Sequence, residues 1–300
     1  MRVVSLLPAA TEIVAFLGAS EYLVGVTHEC DYPDIMASRA RVTRSAIPPS
    51  DNPGAIDDAV KALSGDGHAL FTLDEARIRA LHPDILLTQA LCDVCAVRES
   101  DVRALAARLT PVPRVITLAG ETIDGIYADV MTVAGAVDAQ SDAEELLIGL
   151  RDRVERVHET LKLAKAPRRR VALVEWTSPL YIAGHWGPEQ VKRAGGVDVL
   201  GIAGSHSVAV PMERLRAADP EIVLIAPCGY SLSRAAAEAN RLIAMSAWSW
   251  LAGKQVWALN ANGLVSRPGP RVVDGIETMA RIFNPGLFSA IDARHAARVQ

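Results

Sequence analysis

The chain has 300 residues, of which 50% are hydrophobic and 22% charged, and its formal net charge is −4. This length exceeds what one core usually organises, so it predicts two domains, and the composition excludes a disordered chain. The acidic balance excludes nucleic acid as the expected partner, because it offers nothing to a phosphodiester backbone. No apolar stretch reaches the roughly 18 residues that span a bilayer, so we expect a protein that is not integral to a membrane.

The first residues bear on location. Met1 and Arg2 lead directly into the apolar run from Val3 to Leu7, without a charged leader, an apolar segment and a cleavage site. A cytoplasmic chain is therefore expected, and the alternative is a periplasmic chain from which a signal peptide has been removed. Four cysteines are too few for a disulfide scaffold in a chain of this length.

Short apolar runs alternate with amphipathic segments, which is the pattern of βα units in a largely parallel sheet. In chain order, the first half is predicted to contain strands at 3–7, 22–27, 85–88 and 115–118 and helices at 12–17, 74–82, 102–109 and 122–137. Thr11 is the predicted cap of the first helix, and Pro8 to Ala10 form the turn before it. Residues 32–58 are rich in Pro, Ser and Asp and are predicted to be irregular.

One long helix is predicted at 143–166, because its apolar residues recur every three or four positions and form a single stripe. Strands at 170–175, 222–226 and 255–259 and a helix at 272–283 follow. The segments RIRALHPDILLT (77–88) and RLRAADPEIVLI (214–225) match in helix end, proline, acid and strand. This internal echo predicts two similar α/β lobes, 1–142 and 167–300, bridged by the helix.

The chemically reactive side chains share one position, just after a predicted strand: His28, Glu29, Cys30, Cys92, Cys95 and Cys228. Ligands bind there in open α/β sheets. Three interpretations stay open: small buried hydrophobes, a soft-metal site drawn from His28 and the four cysteines with His28, Cys92 and Cys95 as the expected ligands, or a disulfide or redox pair. Asp93 disfavours a thiol redox enzyme, because its charge would raise the pKa of a neighbouring thiol.

Aromatic side chains concentrate in the second half, which holds all five tryptophans. The segment EWTSPLYIAGHWG (175–187) contains Trp176, Tyr181, His185 and Trp186. Flat side chains in a cleft suit a large planar ligand, and the alternative is a turn packed by its own aromatics. The nucleophile elbow, the phosphate-binding loop, the zinc helix and the dinucleotide turn are all missing from the sequence, so no enzyme is predicted.

Four segments carry a resemblance that covers nearly the whole chain: VVSLLPAATEIVAFLGASEYLVGVTHECDYP (3–33), RALHPDILLTQ (79–89), RAADPEIVLIAPCG (216–229) and SRPGPRVVDGIE (266–277). In this order they resemble the cobalamin and ferric-siderophore substrate-binding proteins of ABC importers, and most closely the cobalamin-binding branch. The resemblance implies the class III periplasmic-binding-protein fold, which is α/β with two Rossmann-like lobes joined by a single long rigid helix.

The resemblance also implies a function, which is non-catalytic binding of a cobalamin-like corrinoid in the interlobe cleft, with no required cofactor. The chain would act for an ABC importer or as a cytoplasmic carrier. Together with the reactive residues above, the expected ligand site comprises Glu29, Cys30, Leu91, Cys92, Cys95, Trp176, Tyr181, His185, Trp186, Cys228, Ser266 and Arg267. The alternative is a metal or metal chelate, such as a siderophore or haem, held by Cys and His.

Two acids are the expected contacts with an ABC permease. In transporter-coupled relatives one surface acid per lobe docks onto arginines of the permease, and the matching positions are Glu75, with Asp74 as its alternative, and Glu213. The simpler interpretation is that each is an exposed acid favoured by the dipole of a helix's first turn.

Overall fold

A computed structural model describes residues 1–66, 68–91 and 96–300 and divides the chain into two compact units. Unit 1 comprises Met1–Gly120 and Asp124–Ile148, and unit 2 comprises Glu121–Ile123 and Gly149–Gln300. Among the described residues, no helix is both long and apolar enough to cross a lipid bilayer.

The first half of the chain alternates strands with helices. Its strands are β1 (Val3–Ser5), β2 (Leu23–Val26), β3 (Ala40–Arg41), β4 (Thr43–Ser45), β5 (Phe71–Leu73), β6 (Ile85–Gln89) and β7 (Arg114–Leu118). Its helices are α1 (Pro8–Phe16), α2 (Pro53–Gly65), α3 (Glu75–Ala80), α4 (Glu99–Ala106), α5 (Ile123–Val137) and α6 (Gln140–Leu163). The main sheet has the order β3-β2-β1-β6-β7 and is parallel throughout, as predicted.

The first helix begins earlier than the sequence predicted. It starts at Pro8, whose missing N–H costs nothing in a helix's first turn, so the predicted turn at Pro8 to Ala10 is wrong. Thr11 is therefore an interior helical residue and not the cap. Its buried hydroxyl donates to Ser5 Oγ over 2.8 Å, which ties the helix to the end of β1.

The stretch 32–58 is more regular than predicted. It holds a short 3₁₀ helix (Asp34–Ser38), β3, β4 and the start of α2. Asn52 caps α2 by accepting hydrogen bonds from the N–H groups of Gly54 and Ala55, and Pro53 occupies the first helical position. The Asn-Pro pair is a helix-start signal, and the prediction gave more weight to the turn-forming composition.

The second half is built around a mixed sheet. Its strands are β8 (Arg169–Thr177), β9 (Leu180–Ile182), β10 (Gly196–Asp198), β11 (Val208–Ala209), β12 (Ile222–Ile225), β13 (Gln255–Leu259) and β14 (Ala296–Arg298). Its helices are α7 (Gly187–Arg193), α8 (Met212–Ala217), α9 (Leu232–Ile243), α10 (Ala261–Leu264) and α11 (Val272–Phe283), with a 3₁₀ helix at Ser246–Leu251. The predicted strands 170–175, 222–226 and 255–259 are confirmed in β8, β12 and β13.

The strands of unit 2 that the sequence did not predict are its shortest ones. The long β8 pairs in parallel with β10 and β12, whereas β9, β11 and β14 are antiparallel additions. These three, and the equally short parallel strand β10, are two or three residues long, so all four show too little alternation for a period-two pattern. The central strand β12 is buried throughout, as expected for a strand that is covered on both faces.

The long helix α6 was predicted at 143–166 and runs from Gln140 to Leu163. Within unit 2, Arg153 on this helix bonds Asp274 over 2.5 Å and Glu277 over 3.0 Å, both on α11. The two carboxylates raise the pKa of Arg153 despite its burial, which on its own would lower it. This charge-assisted network fixes the later part of α6 against unit 2.

Candidate functional site

In unit 2 the carboxyl ends of β8, β12 and β13 meet at one edge of the sheet, because these three strands run in parallel. Loops that follow parallel strands are where open α/β sheets place their ligand contacts. Trp176 lies at the end of β8, Cys228 lies just beyond β12, and Ser266 with Arg267 follow the short helix after β13. The structure therefore brings predicted residues from three distant segments to one edge.

Trp176 and Tyr181 form the aromatic surface of this edge. They are directly paired across the β8–β9 hairpin, and both are half-buried. Directly opposite residues on antiparallel strands place their side chains on the same face. The Trp176 indole donates to the carbonyl oxygen of Ser178 over 3.1 Å, which fixes the ring at the turn.

Tyr230 supports Trp176, Arg234 covers Tyr230, and the sequence analysis predicted neither contact. The Tyr230 ring meets Trp176 edge to face, with ring centroids 5.7 Å apart and planes at 74°. The guanidinium of Arg234 lies 4.0 Å from the centroid of the same tyrosine ring. Tyr230 comes two residues after Cys228 in the same loop, so its position was the signal that the sequence offered.

A buried carboxylate holds α9 against the end of β8. Glu238 is only 4% exposed, and it accepts hydrogen bonds from the Thr177 hydroxyl and from Arg241, the latter over 2.6 Å. Because Thr177 follows Trp176 directly, this network positions the backbone that carries the indole. Buried charges persist only when they are paired in this way.

His185 and Trp186 lie deeper in unit 2 than the sequence suggested. Strand β9 runs back from the carboxyl edge, so the N–H of Ala183 donates to Leu173 in the middle of β8. Trp186 is 7% exposed, and its indole donates to the Val265 carbonyl over 2.6 Å. That burial favours a packing role, and its contact with a ligand stays a prediction.

The His185 ring lies against His206, and its backbone has a left-handed conformation. Its backbone has φ +50°, and its ring centroid is 5.3 Å from that of His206 with the planes nearly perpendicular. Burial, and after it the charge of His206, lower the pKa of His185, while Glu121 acts in the opposite direction. The imidazole is therefore neutral near pH 7, as a metal ligand must be.

The remaining predicted residues of unit 2 differ in exposure. Cys228 is a half-buried free thiol whose backbone N–H donates to the backbone carbonyl oxygen of Glu175 over 3.0 Å. The Ser266 hydroxyl is buried and has no hydrogen-bond partner among the described residues. Arg267 is half-buried beside it. A buried hydroxyl without a partner is uncommon, and this one lies in the segment that follows the short helix after β13.

In unit 1, His28 and Cys30 follow β2. The His28 Nδ1 lies 2.7 Å from the Thr43 hydroxyl, so only Nε2 is left for a metal. Burial and the nearby Arg41 lower the pKa of His28, which keeps this imidazole neutral near pH 7. Cys30 is 1% exposed with its Sγ 3.0 Å from Thr11 Oγ1, which favours the interpretation as a small buried side chain.

The other predicted residues of unit 1 differ in exposure, and their contact with a ligand stays a prediction. Glu29 is exposed and Leu91 is half-buried. Cys92 and Cys95 lie outside the described residues, so the proposed metal set of His28, Cys92 and Cys95 stays a prediction. Among the described residues, the group of metal-type side chains that converges within 4.8 Å is Glu155, His158 and Glu159, on α6 in unit 2.

The two predicted docking acids occupy equivalent places. Glu75 and Glu213 are exposed and lie in the first turns of α3 and α8, each shortly before the proline and strand of the internal echo. Glu75 is paired with Arg108 over 2.6 Å, whereas Glu213 has no ion pair among the described residues. Asp74, the alternative to Glu75, accepts from the Arg77 N–H as the cap of α3.

Asp198 controls the loop that packs on His185. One carboxylate oxygen accepts from the N–H groups of Leu200 and Gly201, over 3.0 and 2.7 Å, and the other is buried without a partner. Burial raises the pKa of this carboxyl to about 6, although the backbone hydrogen bonds lower it in part. The group is thus largely ionised at neutral pH at a cost in free energy.

We expect Asp198 to make unit 2 less stable as pH rises. The unfolded chain ionises this group near pH 4, while the folded chain keeps its proton up to about pH 6, so stability is lost across that window. The loss approaches about 3 kcal/mol, at roughly 1.4 kcal/mol per pKa unit. The melting temperature of Asp198→Asn relative to that of wild type should therefore rise between pH 4 and pH 7. Asp152→Asn, at an exposed position, is the control, and an equal gain there would contradict the assignment.

Two α/β units, with aromatic and polar side chains gathered at the carboxyl edge of a sheet, define a ligand-binding protein of the α/β class. The chain belongs to the periplasmic binding protein family, whose model matches residues 3–251. A comparison with curated protein sequences gives no significant match.

Solved structures share the fold. A periplasmic haem-binding protein of Pseudomonas aeruginosa is similar with a TM-score of 0.74 at 21% identity, covering 99% of this chain and 97% of that one. An ABC transporter substrate-binding protein of Listeria monocytogenes has a TM-score of 0.69 at 18% identity, covering 95% of this chain and 99% of that one. The periplasmic vitamin B12-binding protein of Vibrio cholerae has a TM-score of 0.65 at 20% identity, covering 95% of this chain and 96% of that one. The predicted class III fold is thereby confirmed.

Proposed function

We propose that this protein binds a metal tetrapyrrole of the corrinoid type, such as cobalamin, and releases it unchanged. The family consists of binding proteins, and the proteins of similar fold include one that binds vitamin B12 and one that binds haem. Binding needs neither a catalytic residue nor a resident cofactor. The chain would serve an ABC importer or carry its ligand to another protein.

The observation that carries this proposal is the paired aromatic surface of Trp176 and Tyr181. Two half-buried rings on one face of a hairpin offer a rigid flat surface, which loses little side-chain entropy when a planar macrocycle stacks on it. Tyr230 contacts the indole edge to face and is itself covered by Arg234, so the surface is pre-formed. Pre-formed contacts bind more tightly because less conformational entropy is lost on association.

Haem or a ferric siderophore is the alternative ligand. It is supported by the haem-binding protein of similar fold and by the imidazoles of His28 and His185, which are both neutral near pH 7. Neutral imidazole is a ligand for iron as well as for cobalt. The aromatic surface can stack on either macrocycle, and titration with both ligands separates them.

A permease is the proposed partner, with Glu75 and Glu213 as its contacts. Their equivalent placement in the first turns of α3 and α8 supports this pairing, since each acid is exposed. Glu213 is ready to accept an arginine, whereas Glu75 would exchange Arg108 for the partner's cation. Surface ion pairs contribute little individually, so this exchange is inexpensive.

Absorbance titration tests the proposed ligand. Aquocobalamin, cobinamide and haemin would each be added to the full chain, and the shift of the visible bands would be followed to saturation. We expect one-to-one binding of a corrinoid with a Kd of micromolar order or tighter, corresponding to about 8 kcal/mol. Saturable binding of haemin alone would replace the ligand by the alternative, and failure of all three to bind would refute the proposal.

A further inference from the structure

A basic groove lies on unit 2, formed by the later part of α6, the segment between α6 and β8, and the end of α7. Its volume is about 520 Å³. Its lining includes four small or apolar residues: Val154, Leu161, Ala166 and Gly195. Five cationic side chains surround it: Lys162, Lys165, Arg168, Lys192 and Arg193. Glu155 and His158 complete the lining, so five permanent cations face one acid.

Three of the five cations have no acidic partner among the residues that the structure describes. Lys162 pairs with Glu159 over 3.0 Å, and Arg193 pairs with Glu189 over 2.7 Å. In the parts of the chain that the structure describes, Lys165, Arg168 and Lys192 form no ion pair and no side-chain hydrogen bond. All three side chains are exposed. Their charges are therefore available to a ligand.

Helix ends explain only part of this concentration of charge. Both α6 and α7 terminate at the groove, and each helix end carries about half a negative charge that favours cations. That is enough to balance roughly one of the unpaired cations. The chain as a whole has a net charge of −4, so clustering the others here costs repulsion that a bound anion would relieve.

We propose that this groove binds a small soluble compound that carries two or more phosphate groups, such as a nucleoside diphosphate or an inorganic polyphosphate. Lysine supplies point charges and Arg168 a planar fork, and both suit phosphate oxygens. Several cations around one groove favour a multivalent anion over a monovalent one. The volume falls in the range of small-ligand sites, and the apolar part of the lining can contact an organic group.

Calorimetric titration of the full chain with tripolyphosphate, in about 50 mM NaCl with EDTA present, tests this site. We expect saturable one-to-one binding, at least tenfold tighter than that of orthophosphate. Raising NaCl to about 500 mM should weaken it tenfold or more, because screening acts on exposed charges. Binding that disappears in EDTA would overturn the proposal, since a metal held by Glu155, His158 and Glu159 would then be the receptor.

A charge-matched pair of variants decides whether the groove is responsible. The triple variant Lys165→Ser, Arg168→Ser and Lys192→Ser should bind tripolyphosphate at least tenfold more weakly than wild type. The control Arg114→Ser, Arg214→Ser and Arg216→Ser removes the same charge from other exposed positions and should stay within twofold. The charge-conserving variant Lys165→Arg, Arg168→Lys and Lys192→Arg should retain binding, and unchanged melting temperatures would show that each variant folds.

Three results would overturn the proposal. The first is equal weakening in both triple variants, which would mean a general effect of net charge. The second is a lack of saturable tripolyphosphate binding at low salt. The third is association with phosphatidylglycerol vesicles, but not with phosphatidylcholine vesicles, in the absence of tripolyphosphate binding, which would make the groove a lipid contact.

Discussion

Replacing Trp176 by alanine should weaken tetrapyrrole binding by about 30- to 100-fold, as measured by absorbance titration with cobinamide and haemin. The indole supplies half of the paired aromatic surface and is held by Tyr230 and by the Ser178 carbonyl. Truncating a central aromatic contact typically costs about 2 to 3 kcal/mol, and each 1.4 kcal/mol is tenfold in Kd. Trp176→Phe should recover part of the loss, since it keeps a flat ring.

Trp250→Ala is the matched control for this experiment. Trp250 is also a half-buried indole of unit 2, but it stacks on Trp248, with ring centroids 6.3 Å apart, and lies outside the aromatic surface. We expect its variant to bind within threefold of wild type. A loss of less than threefold for Trp176→Ala, or an equal loss for both variants, would exclude the aromatic surface as the binding surface.

Replacing Gly184 by alanine should destabilise unit 2 by about 3 kcal/mol and lower its melting temperature by roughly 6 to 10 °C. A Cβ at this position would lie 2.5 Å from the His206 carbonyl carbon and the Ser207 nitrogen, and closer still to the Ser205 carbonyl oxygen. These are backbone atoms, which cannot rotate away as a side chain would. The segments around His185 and His206 must therefore separate.

Gly149→Ala provides the opposite expectation. Gly149 is an exposed residue of α6, and a Cβ there would meet nothing within 4 Å. Alanine should stabilise the helix by about 0.5 to 1 kcal/mol and raise the melting temperature slightly. Scanning calorimetry of both variants measures the contrast. A Gly184→Ala protein that melts within about 2 °C of wild type would refute the close approach of these loops.

The sequence was sufficient for much of the fold because its signals are local. Apolar runs ending at Thr88 and Ala226 predicted parallel strands, and the stripe from Leu146 to Leu161 predicted the long helix, now seen as α6. Periodicity and capping depend on residues a few positions apart, so the chain displays them directly. The same kind of signal is ambiguous at Pro8, because proline is common both in turns and in the first turn of a helix, and here it begins α1.

Other predictions stay as they were made. Four of them stay predictions: the ligand, the permease, the cytoplasmic location, and the roles of Cys92 and Cys95, which lie outside the described residues. For Cys30 the tertiary structure favours one of the alternatives that the sequence left open, since its thiol is buried beside Thr11. A residue's position after a strand predicts the edge at which it lies, but its exposure depends on what packs over it.

The sequence by itself determined the family, the α/β order of elements and the place of Trp176 at the end of a strand. Only the tertiary structure decided that Tyr230 supports this indole, that Trp186 is buried, and that the cations around Lys165 and Lys192 share one groove. The physical reason is distance along the chain. Strand order and antiparallel returns such as β9 place remote segments side by side, and such contacts leave no periodic trace in the local sequence.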